Sequence, residues 1–358
     1  MHLPSLLVAA SVAVEAVLGA ATPNCGCTKP IVRKEWRTLT TKEKGKYINA
    51  VKCLAKKPSK TGAIYNGAKS RFDDFQATHI VNTDGIHFVW WVSSTPGTVC
   101  LLPSTRQISA ACAATRELSP IGVYWSLDCD SADAFLNSPI FDPVTGFGGN
   151  GAYINTTGWN ITRQIPGKQG GGCVQTGPLV EGKFTVNMGP NKNTTYNPRC
   201  LTRDIAPDFA VSKLNQAQVD WVLEAQDFYE FDIRVEGTIY NEGQSYHGGG
   251  HLGVGGDIGE VGDIYSSPGD PLFFMHHANM DRLWNKWQRA SWSARKSDIS
   301  GPDTQFAYPF DFFGPKPYQN ITLDYTMNFD KLLPDRQYLK VKEVMDIKGG
   351  YLCYDYKE

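Results

Sequence analysis

His247-Gly-Gly-Gly-His251 and, past a glycine-rich connector, Asp270-Pro-Leu-Phe-Phe-Met-His276-His277-Ala-Asn-Met-Asp281-Arg-Leu-Trp284-Asn-Lys-Trp287-Gln288 decide how this chain is read. Four of its seven histidines fall in these 42 residues. A neutral imidazole offers a metal one ring nitrogen, and three imidazoles converging on a point suit copper or zinc. The HxxxH spacing sets two rings on one side of a helical turn, about 6 Å apart. Asp270-Pro271 opens the next helix, which can bring a third ring. Adjacent residues of a helix point about 100° apart, so His276 and His277 cannot both face the pair.

The same residues resemble the second copper-binding half of the type-3 copper family, the tyrosinases, catechol oxidases and related polyphenol oxidases. That pattern is HxxxH followed by DPLFxxHHxxxDRLWxxWQ, and Asp270 to Gln288 matches it almost letter for letter. The resemblance implies a mainly α, tyrosinase-like four-helix bundle around a dicopper centre, with long loops and a few short strands. It implies two copper ions, each held by three histidines, that use dioxygen to oxidise o-diphenols, and in some members monophenols or o-aminophenols, to o-quinones. His277 takes the ligand role beside His247 and His251, and His276 a packing or supporting one. Asp281, one turn past His277, either supports a ligand ring or pairs with Arg282. Glu236 falls where a carboxylate orients a water. Ile264 falls on the gate over the second copper. Gly248 and Leu252 follow the first two histidines where many monophenol-hydroxylating members carry Asn after the first, which lowers the expected monophenolase activity.

Working outward, Thr40-Thr41-Lys42-Glu43 reads as a capping box ahead of apolar Tyr47, Ile48, Val51 and Leu54. Arg71 to Phe75 leads into a second helix that delivers His79, and His87 follows in His87-Phe88. Short fungal members of the family begin their first copper site with two histidines at this spacing, so the ligand role passes to His79 and His87. Some members bond a cysteine two residues before the first histidine to a ligand ring; Ala77 stands there, and no thioether is expected.

The family continues with Trp-His-Arg, whose histidine completes the first site and belongs near Pro96. This chain has no histidine between His87 and His247. The codons of Pro96-Gly-Thr-Val-Cys100, read two nucleotides later, can encode Trp-His-Arg-Leu. Residues from about Val89 to Pro120 are therefore read as an out-of-frame segment, with Cys100 and Cys112 accidental. The family pattern resumes at Tyr124-Trp125, with Ser126 in place of an Asp. A genuine segment would instead make the chain a catalytically impaired, secreted copper-binding glycoprotein. An oxygen carrier is a third class, distinguished by reversible oxygenation without turnover.

Met1 to Ala20 reads as a secretory signal ahead of one tyrosinase-like domain over 21–358. Sequons at Asn155, Asn160, Asn193 and Asn320 agree with a secreted glycoprotein, and after signal removal no membrane partner is expected. A net charge of −1 with no basic stripe argues against nucleic acid, leaving a small phenolic substrate and dioxygen as partners. Nine cysteines in an exported chain point to disulfides. Cys25 or Cys27 with Cys353 would staple the ends, and Cys173 and Cys200 are candidate partners. A hairpin is expected near Gly170-Gly-Gly172, a helix from Asn215 to Tyr229, and a flexible connector from Gly253 to Gly262. Three glycines between His247 and His251 mean either irregular helix or close approach of a neighbour.

Overall fold

The computed structural model describes residues 27–83, 122–126, 131–161, 163–237, 245–303, 318–333, 337–349 and 352–358. The segment read as a signal, His87 and the stretch from Val89 to Pro120 lie outside these residues. Helix outweighs strand among the described residues, 39% to 11%, so the mainly α expectation holds.

Strand β1 (Ile31–Glu35) leads into α1 (Thr41–Leu54), whose first turn is closed reciprocally by Thr40 and Glu43 as the capping box requires. Tyr47, Ile48, Val51 and Leu54 recur at helical spacing and are buried. Helix α2 (Arg71–Asn82) starts on a second capping box, Ser70 with Asp73, and carries His79 in its last turn. Strand β2 (Gly122–Tyr124) follows, then α3 (Ala132–Leu136) and an antiparallel pair, β3 (Gly151–Tyr153) with β4 (Gly171–Val174). The hairpin expected near Gly170-Gly-Gly172 is this pair, with Gly171 and Gly172 inside β4 and Gly171 opposite Tyr153.

Helix α4 (Pro207–Lys213) packs on α7 (Tyr246–Gly255), α6 (Phe228–Glu236) on α5 (Gln216–Leu223) and α7, and α5 and α7 on the long α8 (Leu272–Ala290), which the short α9 (Trp292–Arg295) follows. The single helix expected over Asn215–Tyr229 is thus broken. Its continuation needs the Ala225 carbonyl, which instead accepts Trp287 Nε1 at 2.7 Å and Arg295 Nη2 at 2.8 Å. Asp227 then caps a new helix by accepting from the Glu230 amide.

The connector read as flexible is packed tightly. A Cβ on Gly255 would lie 2.2 Å from the Gly262 nitrogen, so glycine is what lets the two segments touch. Within it, Glu260–Gly262 makes a 3₁₀ turn.

Strands β5 (Thr326–Asn328) and β6 (Tyr338–Lys340) pair, and β7 (Tyr354–Tyr356) joins β1 in the parallel order β2-β1-β7. Disulfides Cys27–Cys353 and Cys173–Cys200 are both present, and Cys53 is also disulfide-bonded. The sheet also settles Asp281. Its Oδ2 accepts the hydroxyls of Tyr354, at 2.8 Å, and Tyr356, and lies 3.6 Å from Arg33, whose guanidinium sits over the Tyr354 ring. Asp281 therefore anchors the C-terminal strand, a role outside the two expected of it. Arg282 turns to Glu358 and Asn279 instead.

Asp270, just ahead of α8, is wholly buried and forms two bonds, 2.7 and 3.0 Å, with an equally buried Arg203. Removing one member strands a charge out of water, so Asp270→Ala should cost about 3–5 kcal/mol in denaturant unfolding. Replacing both residues by apolar ones should cost less.

Candidate metal centre

Helix α7 carries His247 and His251 one turn apart, and α8 brings His277 against them. His251 Nε2 lies 3.1 Å from His247 Nε2 and 3.0 Å from His277 Nε2. The ligand atoms of the three all fall within 4.8 Å of one another, with two rings buried and His251 half-buried.

What holds the rings explains which nitrogens meet. His247 Nδ1 is 2.6 Å from Glu236 Oε2, at the end of α6, and His251 Nδ1 is 2.6 Å from the Val261 carbonyl. Carboxylate and carbonyl oxygens only accept, so each Nδ1 carries the proton and each Nε2 presents a lone pair to the cluster. Lone pairs facing one another at about 3 Å repel unless a cation lies between them. An all-imidazole set without thiolate suits copper. The residues therefore fit the metal that the resemblance implies. Glu236, expected to orient a water, bonds the His247 ring.

His276 points elsewhere. Its Nε2 donates to the His247 carbonyl at 2.9 Å, and its ring lies parallel to that of His247 at 5.7 Å. Burial pushes its pKa down to about 3, keeping it neutral. The triple glycine serves this contact. A Cβ on Gly250 would come 2.2 to 2.5 Å from the His276 ring atoms, so α7 stays helical while its backbone presses on an imidazole. Gly250→Ala should cost about 1–3 kcal/mol through overpacking, read as a lowered melting temperature.

On α2, His79 repeats the ligand geometry. Its Nδ1 is 2.7 Å from the Tyr265 carbonyl, and burial pushes its pKa down to about 4, so the ring is neutral. Phe273 joins the two halves. Its ring meets His277 stacked at 4.1 Å, His251 at 5.7 Å and His79 edge-on at 5.1 Å. Sequence reasoning left Phe273 out, although it stands four residues before His277 on the same helix face. The carbonyls of Val261 and Tyr265 carry no side-chain signal at all.

Ala77 is buried against Ala68, Ile80 and Met188, where the thioether cysteine of some relatives would stand. Leu252, directly after His251, is buried with Ile165 and Ala206. Gly248 is half-buried in α7, and Ile264 is half-buried one residue before Tyr265.

Comparison with known proteins agrees with this geometry. Residues 119–290 match the family model for the common central domain of tyrosinase. The chain is 33% identical over 389 residues to N-acetyl-6-hydroxytryptophan oxidase of Emericella nidulans, covering all of both chains. It is 31% identical to tyrosinase P of Aspergillus terreus, over 92% of this chain and 93% of that one. Among solved structures, a glycine-to-asparagine mutant of the polyphenol oxidase from Thermothelomyces thermophila superposes with a TM-score of 0.78 at 32% identity. That match covers 94% of this chain and 91% of the other.

Proposed function

The chain belongs to the tyrosinase family of oxidoreductases, and from that premise we propose that it oxidises o-diphenols to o-quinones with dioxygen, at two coppers. His247, His251 and His277 would hold one ion, and His79 with His87 would contribute to the other. The facing Nε2 atoms of the triad carry this reading. Bound copper supplies the redox chemistry, with each diphenol losing two electrons and two protons and each dioxygen taking four electrons to leave two waters.

The chain's own residues supply posture and dryness. Glu236 and Val261 fix the tautomers of His247 and His251, so the nitrogens meant for metal stay unprotonated. Phe273 walls the centre with an apolar ring shared by both halves, which excludes water between them. Gly248 beside His247 favours diphenols over monophenols as substrates. The chain would act outside the cell, on the secretory signal and the sequons, of which Asn155, Asn160 and Asn320 are exposed; no described helix is long and apolar enough to cross a membrane.

One observation favours a second reading, an impaired copper-binding glycoprotein: no histidine stands between His87 and His247 to complete the first site. The family-model match begins at residue 119, where the anomalous stretch ends, and this supports a break in the pattern there. Copper stoichiometry with oxygen uptake separates the readings. The substrates to compare are catechol, a monophenol and N-acetyl-6-hydroxytryptophan. Two coppers with catechol-dependent uptake support the oxidase, and one copper without uptake supports the impaired protein. Reversible oxygenation without turnover would mark a carrier and sink both.

A further inference from the structure

The short segment between α7 and α8 serves both halves of the centre. Its Val261 carbonyl holds His251, and four residues on its Tyr265 carbonyl holds His79. Whatever fixes this segment fixes both rings. Asp263 shapes the turn by accepting the amides of Tyr265 at 2.9 Å and Ser266 at 2.7 Å.

A side chain from α2 then grips the segment at two points. Gln76 Nε2 donates to Glu260 Oε1 at 3.1 Å and to the Ser266 carbonyl at 2.9 Å, on either side of Val261 and Tyr265. Gln76 precedes His79 by three residues, so ring and amide share a face of the helix. Glu260 is held from its other side by Arg199 at 2.6 Å, and its backbone amide donates to Thr202. Burial pushes the Glu260 carboxyl up to about 7, and the Arg199 charge opposes that shift. Gly269 leaves the room: a Cβ there would come 2.4 Å from Glu260 Oε1 and 2.7 Å from Gln76 Nε2. Gln76 and Glu260 are 1% and 3% exposed, so water does not compete for these bonds.

We propose that Gln76 and Glu260 form a strut through which α2, the helix of the first half-site, sets the posture of His251 in the second. Both are positioning residues; neither touches the metal. The proposal rests on copper occupying the triad. It makes the triad's affinity depend on a residue of a helix that contributes none of its three ligands.

The test is made in a His79→Ala background, so that the copper measured is the triad's. Copper(I) is titrated by competition against a chromophoric chelator, and folding is checked by circular dichroism. Gln76→Leu, which keeps the bulk but removes both donors, should weaken binding about 10- to 100-fold, the usual effect of losing a ligand's outer support. Gln288→Leu is the control for lost stability alone. Gln288 is equally buried and donates to the Met345 carbonyl instead, and its replacement should leave the affinity unchanged. Should Gln76→Leu fail to fold, Gln76→Asn carries the test, since its amide is drawn back by one methylene and cannot reach both acceptors. Affinity in the folded Gln76 variant equal to that of the parent, or an equal loss in Gln288→Leu, overturns the strut. A parent that takes up no copper overturns the copper reading and the strut with it.

Discussion

His277→Ala is expected to abolish copper binding at the triad and reduce catechol-dependent oxygen uptake to background. The loss should exceed the roughly 10- to 100-fold that outer supports are worth, because a ligand itself is removed. Neighbouring His276→Ala should behave differently. Its ring bonds the His247 carbonyl and fills the space over Gly250, so its removal should lower the melting temperature while copper is still retained. The two variants together decide which of the adjacent histidines binds metal. Retained copper in His277→Ala with lost copper in His276→Ala would reverse the assignment. Metal content by mass spectrometry and oxygen electrode traces supply the readouts.

Restoring Trp-His-Arg across Pro96 to Cys100 should have the opposite effect. With the frame corrected over Val89 to Pro120, the chain gains the histidine that a complete first site lacks. On the impaired reading of the chain as written, copper should rise from one ion per chain to two, and turnover from background into the range of about 1–1000 s⁻¹ usual for enzymes. The chain as written provides the comparison, with His79 and His87 alone offering the first ion two rings. Sequencing the transcript is the independent check. An unbroken frame encoding this segment would refute the out-of-frame origin, and full activity in the uncorrected chain would show that the third ring is not needed.

Local signals carried much of the architecture. Thr40 and Glu43 marked a helix start because a capping box closes within four residues, and the apolar spacing from Tyr47 to Leu54 marked its buried face. Asp270-Pro271 similarly marked the start of α8. Cys173 and Cys200 were legible as candidate partners, and so was a staple to Cys353 from Cys25 or Cys27, because oxidised cysteines need partners; which of the two serves is shown only by the structure.

What escaped was set by contacts distant in sequence. No local pattern reveals that Trp287 and Arg295 take the Ala225 carbonyl and split a helix. The same holds for Asp281, claimed by Tyr354 and Tyr356 more than seventy residues on. Glycines from Gly253 to Gly262 suggested freedom, yet they mark where chains touch too closely for a side chain. The supports of His79 and His251 are main-chain carbonyls, which every residue possesses and which no sequence distinguishes.

The bridge from Cys27 to Cys353 spans 326 residues, and on chain-entropy grounds closing so long a loop is worth about 5–6 kcal/mol at 25 °C. Production route therefore bears on any measurement of this protein. Made in a reducing bacterial cytosol, it would carry free thiols at both termini, and β7 would lose its covalent hold on the edge of β1. Heterologous expression should therefore pass through the periplasm or the endoplasmic reticulum, where this bridge can form.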